Sequence, residues 1–215
     1  MRYRTDMTVI APSAPIHLTA RGAATRARII ATAADLIGAH GVGGTSLDDV
    51  MAASTVSKSQ LYHYFADKDA LIREVITLQT SRVLAAQRSL MVTLDSLADL
   101  RRWRNSMVDM NNAVGGKGGC PIGSLANELA DHSELARTIL AGSFESWEAQ
   151  IAEGLDRLST RDALRPGANV PDIATAVLSA IQGGLLLAKT TRTTRPLELA
   201  LDMALRHVED HLVMA

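Results

Sequence analysis

The sequence predicts an all-α protein, in which a group of short N-terminal helices is joined by one long helix to a larger C-terminal helical region. Hydrophobic residues make up 47% of the chain but aromatic residues only 3%, which points to helices rich in Ala and Leu. Apolar residues recur at helical spacing along most of its length. No segment of useful length alternates apolar and polar residues as a half-buried strand does.

The first predicted helix begins at Thr25, a residue type that caps helix N-termini well, and ends at Gly41. Residues 1–20 precede it and are predicted to be a disordered arm. A minor-groove contact of Arg2 and Arg4 in this arm is the alternative to a solvated terminus.

Two short helices separated by a tight connection are predicted next. Ser46 and Asp49 have the spacing of a capping box at the start of the first helix. Val56 is the expected buried pivot between the helices, and Ser57 is placed to cap the second, which runs from Lys58 to Tyr64. This is the spacing of a helix-turn-helix unit, whose second helix lies in the DNA major groove.

The outward face of the second helix consists of side chains that donate hydrogen bonds, and none of them is acidic. Lys reads guanine and Gln reads adenine in the major groove, while Ser and Tyr hydroxyls commonly bind phosphates. A solvated surface helix is the alternative, but such helices are usually rich in Glu. The residues predicted to bind DNA are Thr45, Ser46, Ser57, Lys58, Ser59, Gln60, Tyr62, His63, Tyr64 and Lys68.

The segment Thr25–Leu71, with its LYHYF and KDAL sequences, resembles the DNA-binding domain of the TetR family of bacterial one-component repressors. The resemblance implies a three-helix helix-turn-helix domain over residues 21–70 and a ligand-binding and dimerisation domain over residues 71–215. Thr55 stands where the family often has Gly, so a left-handed backbone there would cost roughly 1 kcal/mol, or another turn geometry would replace it. Ser59 also stands where Gly is common, and it adds a hydroxyl near the DNA.

The charge distribution is nearly even. Residues 1–70 contain seven Lys/Arg and six Asp/Glu, a net +1, which leaves −2 for the remainder of a chain whose total is −1. DNA affinity must therefore come from specific contacts, including helix N-termini on phosphates, and from the pairing of two subunits. The expected partners are double-stranded operator DNA and a second copy of the chain.

Several features favour a cytoplasmic protein with no membrane partner. The single cysteine excludes an intrachain disulfide. Pro12 and Pro15 interrupt the N-terminal segment, so it does not have the form of a signal peptide. We also expect no membrane span, because no apolar run approaches the roughly 18 residues that one requires.

After the DNA-binding unit, Asp67 is predicted to cap a long helix from Lys68 to about Thr93, which would act as a rigid connection. A helix containing Trp103 follows and ends in the sequence VGGKGG. A phosphate-binding loop is excluded there, because the Walker pattern requires Gly and Ser or Thr where Asn111 and Gly118 stand. We expect a flexible loop instead.

The remaining chain predicts four helices. They run from Cys120-Pro121 to a break at Asp131-His132, from Ser133 through an apolar face that includes Leu135 and Leu158, from Asp172 to about Thr190, and from Pro196 to about Leu212. The helix from Asp172 is apolar nearly all round, which predicts burial, and its Gly183-Gly184 pair allows close backbone approach. The last two helices are interpreted as half of a four-helix bundle that a second chain completes.

Two Trp and several Met in an aromatic-poor chain are side chains suited to a pocket for apolar ligands, although they suit an ordinary core equally well. The stretch GCPIGSLANELAD also resembles the regulatory domain of repressors that control drug efflux and respond to aromatic or drug-like molecules. We therefore expect a small apolar or aromatic inducer. Its predicted site consists of Trp103, Met107, Met110, Asn111, Cys120, Leu125, Phe144, Trp147 and Gln182.

Catalytic, cofactor and metal sites are not predicted. Cys120 could be a redox-sensing thiol, but its apolar neighbours favour a small structural side chain. His207 and His211 could form part of a metal site, but solvated histidines are favoured. An enzyme is disfavoured because the sequence offers no nucleophile–base pair. The alternative to an inducible repressor is a constitutive DNA-binding regulator without a small-molecule ligand.

Overall fold

A computed structural model of the chain describes residues 18–159, 165 and 168–212. This part of the chain forms nine α-helices and contains no β-strand, which confirms the predicted all-α fold. The predicted arm comprises residues 1–20. Its first 17 residues, including Arg2 and Arg4, lie outside the described part of the chain. The helices are α1 (Ala20–His40), α2 (Leu47–Ser54), α3 (Lys58–Tyr64), α4 (Lys68–Val92), α5 (Leu97–Ala113), α6 (Pro121–Leu129), α7 (Glu134–Ser159), α8 (Val170–Thr191) and α9 (Arg195–Asp210).

Helix α1 begins earlier than the sequence predicted. Its N-cap is Thr19, whose hydroxyl oxygen accepts a hydrogen bond from the N–H of Gly22 at 3.2 Å. The predicted cap, Thr25, lies inside the helix and donates its hydroxyl to the carbonyl oxygen of Arg21. A Thr hydroxyl can accept a bond from a backbone N–H at the start of a helix. Inside a helix it can instead donate to the carbonyl oxygen one turn earlier.

The helix-turn-helix geometry agrees with the sequence in detail. Ser46 and Asp49 form the predicted capping box on α2, and Ser57 caps α3. Val56 is buried between the two helices. Of the two possible turn geometries, Thr55 adopts the left-handed backbone, with φ 52° and ψ 48°. The three-residue connection therefore keeps α3 at a defined angle to α2, and the other face of α3 is exposed.

Helix α4 is the predicted long connection. Asp67 caps it through a 2.7 Å hydrogen bond to the N–H of Ala70, and its 25 residues span about 37 Å. Its N-terminal half packs on α1, and the helix also packs against α5, α6 and α7. One rigid element thus contacts both the DNA-binding unit and the C-terminal helices.

Helices α8 and α9 pack closely together at Gly184. A Cβ atom at this position would lie 2.9 Å from the Cα of Leu197, so the predicted close backbone approach is present. At Gly183 there is nothing within 4 Å of the same position. Only one of the two glycines is therefore required by packing.

In the single chain one side of α8 is exposed, so its burial on all sides, predicted for a bundle of two chains, stays a prediction. Leu186 and Leu187 are each 55% exposed, and on α9 the side chains of Leu199 and Met203 are also exposed. Leu135 on α7, predicted to face inward, is 54% exposed. Apolar residues on all sides of a helix do not show which side a neighbouring element covers.

The expectation that no segment reaches the length of a membrane span was wrong. Helix α8 has 22 residues, and by length and composition alone it is apolar enough to cross a membrane. One such helix is weak evidence, because the core helix of a globular protein passes the same test. One face of α8 packs against α7 and α9, which is what a core helix does.

Candidate DNA-binding and ligand-binding sites

The exposed surface of α3 brings together five of the residues predicted to bind DNA. Lys58, Ser59, Gln60 and His63 are exposed, and Tyr62 is 45% exposed. The opposite face of the helix is anchored by Leu61, which is fully buried. Because Leu61 and Tyr64 hold one side of α3 against the core, the other polar side chains of this helix project away from the core.

Tyr64 differs from these residues because it is half-buried. Its ring lies edge-on to the ring of His63, with centroids 4.9 Å apart, and it packs against the core of the DNA-binding unit. The hydroxyl of Tyr64 points towards the start of α1, where it lies 3.5 Å from the position of a Cβ atom at Gly22. Tyr64 is thus placed at the junction of α3 with the N-terminus of α1.

Gln60 already has a structural role in the chain. Its Oε1 accepts a hydrogen bond from the backbone N–H of Ser57 at 2.9 Å, while its own N–H donates to the Ser57 hydroxyl at 3.2 Å. Bidentate reading of adenine requires both ends of the Gln amide. The side chain must therefore leave the capping box before it can read a base in this way.

Three predicted DNA contacts stand away from the surface of α3. Thr45 is 3% exposed, and its hydroxyl donates to the carbonyl oxygen of Gly41, so its inclusion in the DNA-facing set was wrong. Lys68 donates from Nζ to the carbonyl oxygen of Val42 at 2.6 Å. Ser46 is exposed, but its hydroxyl donates to the carboxylate of Asp49 at 2.6 Å, and this bond lowers the Asp49 pKa. The partner of Lys68 lies 26 residues away in the sequence, so helix periodicity cannot predict it.

Five of the residues predicted to bind a ligand line one cavity of about 180 Å³, which we call the Trp147 cavity. They are Met107, Met110, Asn111, Cys120 and Trp147. The cavity lies between α4, α5, α7 and α8 and the residues that lead into α6. The sequence reasoning missed the other lining residues, which include Val83, Gln87, Val114, Lys117 and Leu185.

Two buried polar atoms on the lining of this cavity have no hydrogen-bond partner among the described residues. They are Oδ1 of Asn111 and Nε1 of Trp147. The two side chains are only 6% and 3% exposed. Because an unsatisfied buried polar group costs roughly 1–3 kcal/mol, most such groups in proteins have a partner. A bound molecule that supplies the missing partners would remove this cost.

Trp103 was wrongly assigned to the ligand site. It is 1% exposed, and its indole N–H donates to Oε1 of Gln87 at 2.6 Å. The void beside it has a volume of only about 10 Å³, too small for a ligand. Gln87 was missed because nothing in the pattern of α4 distinguishes a buried glutamine from an exposed one.

The remaining predicted ligand residues line two other openings. Phe144 and Gln182, together with Cys120, border a cleft of about 740 Å³ that opens beside the exposed part of α8. Leu125 borders a crevice of about 310 Å³ between α1, α4 and α6. Apart from Trp103, the residues predicted to form one ligand site therefore line three separate openings.

Cys120 caps α6, and its sulfur accepts a hydrogen bond from the N–H of Gly123 at 3.4 Å. Burial raises the pKa of the Cys120 thiol, so the neutral thiol predominates at neutral pH. The reactive species in thiol oxidation is the thiolate. The structural interpretation of Cys120 is therefore favoured over the redox interpretation.

His207 and His211 lie on the solvent side of α9, with ring centroids 4.6 Å apart. In the part of the chain that the structure describes, no group of three or more His, Cys, Asp or Glu side chains is arranged to hold a metal ion. The Nδ1 of His211 lies 2.8 Å from the carbonyl oxygen of His207, one turn earlier. The pair thus caps the end of the helix.

A short helix-turn-helix unit with a non-acidic exposed surface, carried by a long helix on a further helical region with a solvent-open cavity, defines a DNA-binding transcriptional regulator. Residues 29–75 match the family described as "Bacterial regulatory proteins, tetR family". Residues 97–203 match the family described as "Transcriptional regulator LmrA/YxaF-like, C-terminal domain". The chain belongs to the TetR family of transcriptional regulators, which are non-enzymatic DNA-binding proteins.

Relatives match along most of their length. The chain is 30% identical over 183 residues to the uncharacterized HTH-type transcriptional regulator YxaF of Bacillus subtilis, covering 84% of this chain and 92% of that protein. It is 30% identical over 165 residues to the HTH-type transcriptional repressor DhaR of Mycobacterium sp. strain GP1, covering 74% and 79%. These two alignments include both the DNA-binding unit and the C-terminal helices.

Solved structures show the same fold. A TetR transcriptional regulator from Chloroflexus aurantiacus superposes with a TM-score of 0.77 at 23% identity, covering 92% of this chain and 100% of that chain. A TetR-family regulator from Cytophaga hutchinsonii superposes with a TM-score of 0.80 at 19% identity, with the same coverage. At these identities, the two structures establish the architecture alone.

Proposed function

We propose that this protein is a dimeric repressor that binds a palindromic operator and releases it when a small apolar or aromatic inducer binds. The name of the relative DhaR, a transcriptional repressor, supports the direction of regulation. Each chain supplies one recognition helix, whose exposed Lys58, Ser59 and Gln60 are side chains that bind base edges and phosphates. Tyr62 and His63 extend the same surface.

The proposed dimer interface is the exposed apolar surface of α8 and α9. Leu186, Leu187, Leu199 and Met203 project from these helices, each about half exposed or more. Side chains of this kind are costly to leave in water, and a second copy would bury them in a four-helix arrangement. A two-fold dimer presents its recognition helices to half-sites roughly 34–36 Å apart, or a multiple of this distance.

The observation that carries the proposed ligand response is the pair of unpartnered atoms on the Trp147 cavity, Asn111 Oδ1 and Trp147 Nε1. Most buried polar atoms in proteins have a hydrogen-bond partner, and a bound ligand is one way to supply the two that are missing here. The flexible side chains of Met107 and Met110 on the same lining can adapt to ligands of different shape. This favours an inducible repressor over a constitutive regulator.

Helix α6 connects this cavity to the DNA-binding unit. Cys120 and Pro121, at its start, line the Trp147 cavity. Glu128, near its end, accepts a hydrogen bond from the backbone N–H of Val42, in the turn between α1 and α2. A ligand that displaces the start of α6 would change the position of this turn and hence the separation of the two recognition helices. Only a ligand that binds the DNA-free arrangement more tightly can do this.

The proposal assigns residues 21–70 to DNA binding and residues 71–215 to ligand binding and dimerisation, with α4 shared between them. It also places the protein in the cytoplasm, where a bacterial regulator has access to its operator. The buried neutral thiol of Cys120 suits a reducing compartment.

The test begins with selection of operator sequences from a random DNA library by the purified protein. We expect an inverted repeat, bound by a dimer in sedimentation experiments. A single unrepeated site bound by a monomer would contradict the dimer.

Aromatic compounds that change the Trp fluorescence at saturation should also raise the protein concentration needed to bind this operator. If they leave operator affinity unchanged, the constitutive regulator replaces the inducible one.

A further inference from the structure

We infer that the Trp147 cavity selects neutral or singly anionic one-ring compounds that carry a hydrogen-bond acceptor, and that it rejects ammonium compounds of the same size. The inference rests on the proposed ligand response and specifies the chemistry of the ligand. Three properties of the cavity lead to it: its volume, the polarity of its unpartnered atoms and the charge of its lining.

The volume limits the ligand to one ring. A cavity of about 180 Å³ is only slightly larger than the 150 Å³ of a dry protein cavity known to hold benzene. A benzene ring with a two- or three-atom substituent fills such a space. The second ring of a two-ring compound would project past the exposed side chains of Met110 and Val114 into solvent.

The unpartnered atoms require a polar substituent. The indole N–H of Trp147 is a donor only, so the ligand must supply an acceptor such as a carbonyl, phenol or carboxylate oxygen. This requirement does not depend on how the Asn111 amide is oriented. The second unpartnered atom, Asn111 Oδ1, is an acceptor and would pair with a ligand hydroxyl. A pure hydrocarbon would leave both atoms unpaired.

The charge of the lining excludes cations. Among the described residues that line the cavity, Lys117 is the one with a permanently charged side chain, and none is acidic. An ammonium group would enter a mainly apolar site without a carboxylate to pair with and next to a positive charge. A buried charge without a partner is strongly unfavourable. A carboxylate, by contrast, could pair with Lys117 at the opening.

The experiment uses a single-tryptophan protein, because the chain contains only two Trp. Trp103→Phe leaves Trp147 as the sole fluorophore, on the cavity itself. We would titrate this variant with four compounds of similar size: acetophenone, benzoate, ethylbenzene and benzylamine. We expect acetophenone and benzoate to bind at least about tenfold more tightly than ethylbenzene, since each forms a hydrogen bond that ethylbenzene lacks. Benzylamine, protonated at pH 7, should bind most weakly.

Trp147→Phe provides the second arm, measured by titration calorimetry against the wild-type dimer. It removes the indole N–H and should lower acetophenone affinity by about tenfold while changing ethylbenzene affinity much less. Trp103→Phe, measured in the same way, removes an indole that bonds to Gln87 and not to the ligand. Because Gln87 also lines the cavity, the two variants are compared by the ratio of acetophenone to ethylbenzene affinity and not by the absolute affinities. If Trp103→Phe fails to fold, calorimetry with the wild type and Trp147→Phe gives the same comparison.

Benzylamine binding as tight as that of acetophenone would overturn the inference. So would an unchanged ratio of acetophenone to ethylbenzene affinity in Trp147→Phe, or the failure of all four compounds to bind at millimolar concentration. The proposed function is judged separately, on the operator. If acetophenone binds as expected but leaves operator affinity unchanged, the selectivity of the cavity stands and the induction mechanism does not.

Discussion

The carboxylate of Glu128 on α6 accepts a hydrogen bond from the backbone N–H of Val42, with an N···O distance of 2.6 Å. The carbonyl oxygen of the same residue, Val42, accepts a bond from Nζ of Lys68, also at 2.6 Å. A Cβ atom at Gly41 would lie 2.9 Å from the Glu128 carboxylate, so glycine is needed for this approach. One turn of the DNA-binding unit is thus bonded both to the start of α4 and to the end of α6.

We predict that Glu128→Ala weakens binding to a full inverted-repeat operator by about tenfold, because the recognition helices of the dimer lose their fixed relative orientation. Binding to an isolated half-site should be unchanged, since it does not depend on that orientation. Glu128→Gln is the matched control, because its amide oxygen still accepts the bond from Val42. Fluorescence anisotropy with the two DNA lengths measures both affinities, and equal losses on both lengths would point to damage within the DNA-binding unit itself.

Replacement of Leu187 by Asp should convert the dimer to a monomer at micromolar concentration, because it places a charge in the proposed α8–α9 interface. Analytical ultracentrifugation gives the result directly. Val92→Asp is the control, since Val92 is equally exposed, at 56%, but lies on α4 away from that surface. A dimer that survives Leu187→Asp would exclude this part of α8 from the interface.

Gln60 is part of the capping box of α3 and is also exposed on its surface, so its substitution can be compared with that of its capping partner Ser57. Ser57→Ala and Gln60→Ala should each lower the free energy of unfolding by about 0.5–2 kcal/mol, because each removes part of the capping box on α3. Only Gln60→Ala should relax discrimination at one base position, by about 1–3 kcal/mol. Chemical denaturation and binding to a set of single-base operator variants separate the two effects. A uniform loss on all variants would place Gln60 among the phosphate contacts.

Two adjacent glycines on α8 should respond in opposite directions to the same substitution. Gly184→Ala should destabilise the protein by about 1–3 kcal/mol, because the new methyl group overlaps the backbone of Leu197. Gly183→Ala has open space around it and should raise the free energy of unfolding by up to about 1 kcal/mol through helix propensity. Denaturant unfolding at one protein concentration gives the two values. Equal effects would mean that α8 and α9 do not pack as closely as described.

The raised pKa of Cys120 predicts a pH dependence of its reactivity. The native protein should react slowly with iodoacetamide at pH 8, and the rate should keep rising at pH values where the unfolded chain has reached its plateau. Because the thiol pKa is higher in the folded state, the folded protein holds this proton more tightly than the unfolded chain does. Stability from this group should fall as pH rises above the ordinary thiol pKa, and this slope should vanish in Cys120→Ser. Intact-mass measurement follows the alkylation, and equal native and unfolded rates at pH 8 would show that the thiol is accessible.

Local signals in the sequence were sufficient for the helix-turn-helix unit. The capping boxes at Ser46 and Ser57, the pivot at Val56 and the start of α4 after Asp67 all depend on residues within one turn of each other. Interactions at this range are specified by spacing alone. The left-handed backbone of Thr55 was one of two turn geometries that the sequence left open, and the structure shows it directly.

The ligand site depended on contacts between distant parts of the chain. The spacing of Trp103 and Trp147 does not show that one indole is bonded to Gln87 while the other is left without a partner. Nor does the composition of α8 indicate which of its apolar faces α7 and α9 cover. The sequence by itself determined the order of the helices and the caps at the starts of α2, α3 and α4. The tertiary structure alone decided which polar groups are paired and which apolar groups are exposed, because burial depends on neighbours that lie far apart in the sequence.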